Sequence, residues 1–131
     1  MIVDGTPYVR LAIVNPFLDR RYPEEGSVLA VLDTGYEGFV AVPRDAFQLL
    51  GFSEMRTHDS SIILPSGAVV RTQYAYGVVL LEDLRIEEEG AIETFEGLAE
   101  VVVGQGLLRR FRAVLDYCRG LVELEPCAWG C

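Results

Sequence analysis

The run Val31-Leu32-Asp33-Thr34-Gly35 is the part of the chain best suited to chemistry. Apolar residues deliver an aspartate into a loop that contains a glycine. Burial of such a strand on both sides places Asp33 near low-dielectric surroundings, where a carboxylate titrates abnormally. Thr34 offers a hydroxyl that can tie the loop to a neighbouring backbone. Gly35 lets another chain or a substrate approach closely. Taken alone, Asp-Thr-Gly reads more simply as a turn tripeptide.

Other reactive side chains are few. His58 is the single histidine. It excludes a multi-histidine metal site within one chain and leaves a Ser-His-Asp arrangement only through itself. Its setting, R-T-H-D-S-S, predicts a surface loop. The three cysteines are Cys118, Cys127 and Cys131. Cys118 is expected as a buried or partly buried thiol beside a strand. Cys127 and Cys131, in P-C-A-W-G-C, could form a local disulfide or half of a metal site, and free thiols are the expectation. Trp129 in that tail is expected against the domain or at a contact between copies. The chemistry therefore falls to carboxylates, with no metal and no cofactor.

Composition bounds the partners. The chain has 131 residues, 20 acidic and 11 basic groups, and a net charge of −9. That length predicts a single domain over residues 1–131, with a core of about 8–125 and a tail at 126–131. A negative surface repels phosphates, which argues against nucleic acid. No apolar run approaches the roughly 20 residues needed to span a bilayer, so no membrane partner is expected. Met1 to Gly5 lacks the regions of a signal peptide, and a cytoplasmic location is expected. All 11 basic residues are arginine, the forked and always-charged cation.

Short apolar segments separated by Gly, Pro and acidic clusters predict a mostly β fold with one or two short helices. Strands are expected at Tyr8–Val14, Val28–Leu32, Phe39–Val42, Ser61–Leu64, Ala68–Tyr74, Val78–Ile86, Ala113–Asp116 and Leu121–Leu124. Ala91–Val103 is expected as a strand, broken near Gly97. Asp19–Gly26 reads as turn. Pro43 to Gly51 reads as a short helix, with Asp45 in its first turn and Gly51 at its stop. Leu107–Arg112 is helical in pattern. Glu87-Glu88-Glu89-Gly90 reads as a solvated hairpin tip.

Three marks in order give the tripeptide its context. The first is V-L-D-T-G-Y-E-G-F-V-A-V-P, residues 31–43. The second is I-I-L-P-S-G-A-V-V-R-T-Q-Y, residues 62–74, a hairpin with glycine at its tip. The third is Val102-Val103-Gly104-Gln105-Gly106-Leu107-Leu108, followed by Ala113-Val114-Leu115-Asp116. Together they resemble the retropepsin-like aspartic proteases, in particular the small single-domain enzymes of bacteria and archaea. The resemblance covers roughly residues 8–125. It implies a closed β-barrel of the acid-protease fold, one lobe per chain, with residues 62–74 as a flap.

The same resemblance implies roles. Asp33, Thr34 and Gly35 form the catalytic motif, and Thr34 braces the loops across an interface. Tyr36, Glu37 and Gly38, with Leu64, Pro65, Ser66 and Gly67 of the flap, contact substrate. Val102, Val103 and Gly104 form the structural motif. Val40, Ile63, Val69 and Leu107 either line side-chain pockets or pack in the core. Retroviral members carry an arginine where Gln105 stands, paired with an acid that Glu37 could supply. Arg109 or Arg110 could substitute, or a neutral hydrogen bond could serve. Tyr36 is bulkier than the alanine or serine common there.

Aspartic protease chemistry needs two carboxylates sharing one proton, and the chain has a single Asp-Thr-Gly. Asp116 lacks the following Thr/Ser-Gly and is expected at a strand end. The second carboxylate then comes from another copy of Asp33 in a C2 homodimer. The implied function is a homodimeric aspartic endopeptidase acting on peptide or protein. The alternatives are a retropepsin-like peptide-binding or scaffolding module with little or no cleavage, and an unrelated acidic β-barrel interaction domain.

Overall fold

The computed structural model describes residues 1–127. In chain order its strands are β1 (Ile2–Val3), β2 (Thr6–Asn15), β3 (Arg20–Tyr22), β4 (Val28–Leu32), β5 (Val40–Ala41), β6 (His58–Ile63), β7 (Val69–Leu81), β8 (Ile86–Thr94), β9 (Val101–Val103), β10 (Phe111–Asp116) and β11 (Leu121–Pro126). Helix α1 (Arg44–Leu49) follows β5, and α2 (Gln105–Leu108) follows β9. Pairing runs β2–β4–β9–β5–β8–β7 and returns to β2, so six strands close a ring. The β4–β9 and β5–β8 pairs are parallel, and the others in the ring are antiparallel. β10 and β11 form a separate hairpin.

The ring encloses an apolar core. Leu11, Ile13, Val40, Val79, Ile92 and Val103 are fully buried along the strands, as is Val42 just after β5. Helix α1 packs on this core through Ala46 and Phe47, with Leu50 just past its end, and all three are buried. The Phe47 and Phe52 rings meet at 5.3 Å. Each such side chain stabilises the fold by about 1.5–3 kcal/mol when fully buried.

Several expectations need correction. Glu87 to Gly90 lie inside β8, opposite Leu80 to Gly77. The turn is earlier, a single 3₁₀ turn at Glu82–Leu84 followed by Arg85 at φ 54°. Extended pairing satisfies the backbone of the acidic run, its side chains alternate between exposed Glu87 and Glu89 and half-buried Glu88, and Arg110 pairs with Glu88 at 2.7 Å. The predicted strands Ala68–Tyr74 and Val78–Ile86 are largely one strand, β7. Ala91–Val103 is divided between β8 and β9. The turn-like stretch 19–26 contains β3, paired with β2. Helix α2 begins two residues before Leu107, and Phe111 already belongs to β10.

Within β4 only Ala30 and Leu32 are buried, and Val28, Leu29 and Val31 are half-buried. Cys118 is an exposed free thiol in the β10–β11 turn. Cys127 is disulfide-bonded, contrary to the expected free thiol. Trp129 and Cys131 lie outside the described residues. No helix among the described residues is long and apolar enough to cross a membrane.

Candidate active site

β9 lies between β4 and β5, so the loop joining those two strands crosses the end of β9 where it enters α2. The Asp33 amide donates to the Val103 carbonyl at 2.9 Å, one step beyond the β4–β9 ladder. The Gly104, Gln105 and Gly106 amides donate to the carbonyls of Phe39, Tyr36 and Gly38 at 3.0, 2.8 and 2.9 Å. The two glycine-bearing motifs are thus stitched together backbone to backbone. A Cβ on Gly104 would stand 2.3 Å from the Gly38 carbonyl oxygen and 2.6 Å from that of Tyr36, which only glycine avoids.

Within that frame the Gly35 amide donates to Asp33 Oδ1 at 2.9 Å. This bond orients the carboxylate. Asp33, Thr34 and Gly35 are exposed in the single chain, not set in low dielectric as the sequence suggests. The physical reason is that apolar cover on β4 ends at Leu32. Gln105 Nε2 donates to the Thr34 carbonyl at 2.5 Å, and Arg109 donates to Gln105 Oε1 at 3.2 Å. The brace is therefore the neutral hydrogen bond, with Arg109 acting through Gln105. Glu37 has no ion pair among the described residues. Arg110 lies over the Phe39 ring, 4.9 Å from its centre.

The loop opens onto a cleft of about 800 Å³. Asp33, Gly35, Tyr36, Glu37 and Gly38 line one side, and Ile62 to Pro65 of the β6–β7 hairpin line another. At the hairpin tip the Leu64 amide donates to the Ala68 carbonyl at 2.9 Å, and the Gly67 amide donates to the Leu64 carbonyl at 2.8 Å. Ser66 and Gly67 form this tip without lining the cleft, and Thr34 does not line it either. Ile63 lines it, Val40 and Leu107 are core, and Val69 is exposed outside it. Val102 lines the cleft and Val103 is core.

Tyr36 turns inward across Gly38 and Gly104. Its hydroxyl donates to Glu93 Oε1, and Thr72 Oγ1 donates to Glu93 Oε2. Burial, then the bond to Glu93 and its charge, push the Tyr36 phenol far above its usual range. Glu93 and Thr72 were not among the expected site residues. Alternation along Ile92-Glu93-Thr94 puts Glu93 on the face opposite Ile92, but nothing local shows that this face is covered. His58 opens β6 and stacks on Tyr74, ring centres 5.1 Å apart, instead of lying in a loop. Asp116 ends β10 as expected, and its hydrogen bonds from Arg119 hold its carboxyl below the usual range.

Comparison with known proteins fixes the fold. A retropepsin-like aspartic protease from Rickettsia conorii superposes with a TM-score of 0.59 at 17% identity, covering 95% of this chain and 96% of that one. The EIAV protease, solved with the inhibitor HBY-793, gives 0.58 at 13% identity over 82% and 88%. The retroviral protease-like domain of Ddi1 from Leishmania major gives 0.53 at 15% identity over 92% and 86%. An uncharacterized protein of Archaeoglobus fulgidus is 39% identical over 127 residues, 97% of this chain and 99% of its own. The chain belongs to one family with that archaeal protein, and its fold is retropepsin-like. No family model matches it. In this retropepsin-like fold, Asp33 and the β6–β7 hairpin line the same cleft, and the start of α2 is hydrogen-bonded to the aspartate loop.

Proposed function

We propose that the chain is one half of a homodimeric aspartic endopeptidase, with Asp33 of each copy forming the catalytic pair. The observation that carries this reading is Asp33 itself. It is an exposed carboxylate, oriented by the Gly35 amide, lining a cleft in a retropepsin-like fold. A two-fold axis brings identical residues face to face, and a second copy would supply both the missing carboxylate and the missing cover. Two carboxylates a few Å apart cannot both ionise cheaply, so one keeps a proton. The ionised one takes a proton from water, which attacks the scissile carbonyl, while the protonated one donates to the carbonyl oxygen.

In this reading Thr34 braces the paired loops across the interface, Gly35 presents backbone to the peptide, and Leu64 to Gly67 close over it and exclude water. Tyr36, Glu37 and Gly38 contact the substrate side, with Tyr36 narrowing the cleft floor. Asp33→Asn should abolish peptide cleavage while leaving dimerisation largely intact. Full activity in that variant would end the proposal. A second reading, a peptide-binding module without cleavage, draws on the exposure of a single unpaired Asp33 within one chain. A wild-type protein that binds peptides and leaves them whole would favour it.

A further inference from the structure

The cleft holds a carboxylate that the catalytic reading does not use. Glu93 is only 8% exposed, yet it lines the cleft. Its two oxygens accept hydrogen bonds from the hydroxyls of Tyr36 and Thr72, both neutral donors. It has no cationic partner among the described residues, and no arginine lines the cleft. A mostly buried carboxylate without a counter-charge is costly to hold. Each carboxylate oxygen can accept a further bond.

Strand register sets the surroundings of Glu93. Glu93 pairs with Tyr74 on β7 and with Ala41 on β5, and Ala41 pairs with Val102 on β9. All four line the cleft. They form one row across the floor: an aromatic ring, a carboxylate, then two small apolar side chains. That row matches a long cation with an aliphatic stem. The stem packs on half-buried Val102, with Ala41 buried beneath it, as lysine and arginine stems do on apolar surface. The head reaches Glu93 beside the Tyr74 ring, which attracts a cation.

We propose that Glu93 is a specificity-determining residue that selects a lysine or arginine side chain of a peptide bound in the cleft. The inference rests on the reading of the cleft as a peptide site. The test uses fluorescent peptides identical except for one residue, which is arginine, citrulline or norleucine and is moved along the sequence. Binding is read by anisotropy on Asp33→Asn protein, so that bound peptides persist, with and without Glu93→Gln. Cleavage of the same peptides is read on wild-type protein. At one peptide position arginine should bind about ten- to a hundredfold more tightly than citrulline, the scale of a hydrogen bond to a charged group. Glu93→Gln should erase that difference.

Equal binding of arginine and citrulline, a preference that survives Glu93→Gln, or no binding of any peptide would each overturn the inference. If Glu93→Gln does not fold, the arginine–citrulline comparison with Glu93 in place decides alone. The two readings fail separately. Peptides bound with the Glu93-dependent preference but never cleaved would end the protease reading and keep this one. Cleavage without that preference would do the reverse.

Discussion

The phenol of Tyr36 donates its hydrogen bond to Glu93 Oε1, tying the loop that carries Asp33 to β8 across 57 residues of sequence. Thr72 completes the link from β7. A single buried carboxylate thus holds together the aspartate loop and the β6–β7 hairpin. Small changes here should be felt at both.

Alkaline titration tests the burial of that phenol. The Tyr36 phenol is pushed above its ordinary value of 10.0, chiefly by desolvation. A folded-state value above the unfolded one contributes stability that is present below pH 10 and lost as pH rises beyond it. Tyr36 should stay neutral in an ultraviolet titration of the folded protein above pH 10, and ionise with unfolding. Tyr36→Phe should remove that resistant signal alone. A Tyr36 signal, read as the difference between wild type and Tyr36→Phe, that ionises near pH 10 in folded protein would contradict the buried contact.

Gly104→Ala probes the stitching of the two motifs. The added methyl meets two backbone carbonyl oxygens, which cannot swing aside as a side chain can. Overpacking of this kind should destabilise the fold by about 3 kcal/mol or more. Urea unfolding gives the number. A change within about 0.5 kcal/mol, the scale of an ordinary surface substitution, would show that the close approach is not a constraint.

Charge makes a prediction about assembly. Each chain carries −9, so a dimer carries twice that, −18. Self-repulsion should oppose association at neutral pH and weaken as carboxylates protonate. Sedimentation should therefore show tighter association at pH 5 than at pH 8. Equal or weaker association at pH 5 would contradict this account.

The parts that could be read from sequence are those whose cause is local. Asp33 follows an apolar strand, Gly67 sits at a hairpin tip, and Gly104 opens a helix after Val102 and Val103. Each is visible within a dozen residues. Glu93 is different, because its burial depends on hydroxyls at positions 36 and 72, which only the closed ring brings near. The acidic run Glu87–Glu89 misleads for a related reason. Its composition says solvent, while β7 across from it and Arg110 on a distant turn make it a strand. Asp33 misleads in the opposite direction, since one chain leaves exposed a residue whose motif suggests burial.

The central claim, that one active site takes Asp33 from each of two copies, is tested most directly by mixing. Wild-type and Asp33→Asn chains are combined in equal amounts, allowed to exchange, and assayed for peptide hydrolysis at fixed total protein. If hybrid dimers are inactive, random pairing leaves about one quarter of the wild-type rate. A rate of about one half, scaling linearly with the wild-type fraction, would mean that each chain acts alone and would contradict the shared pair.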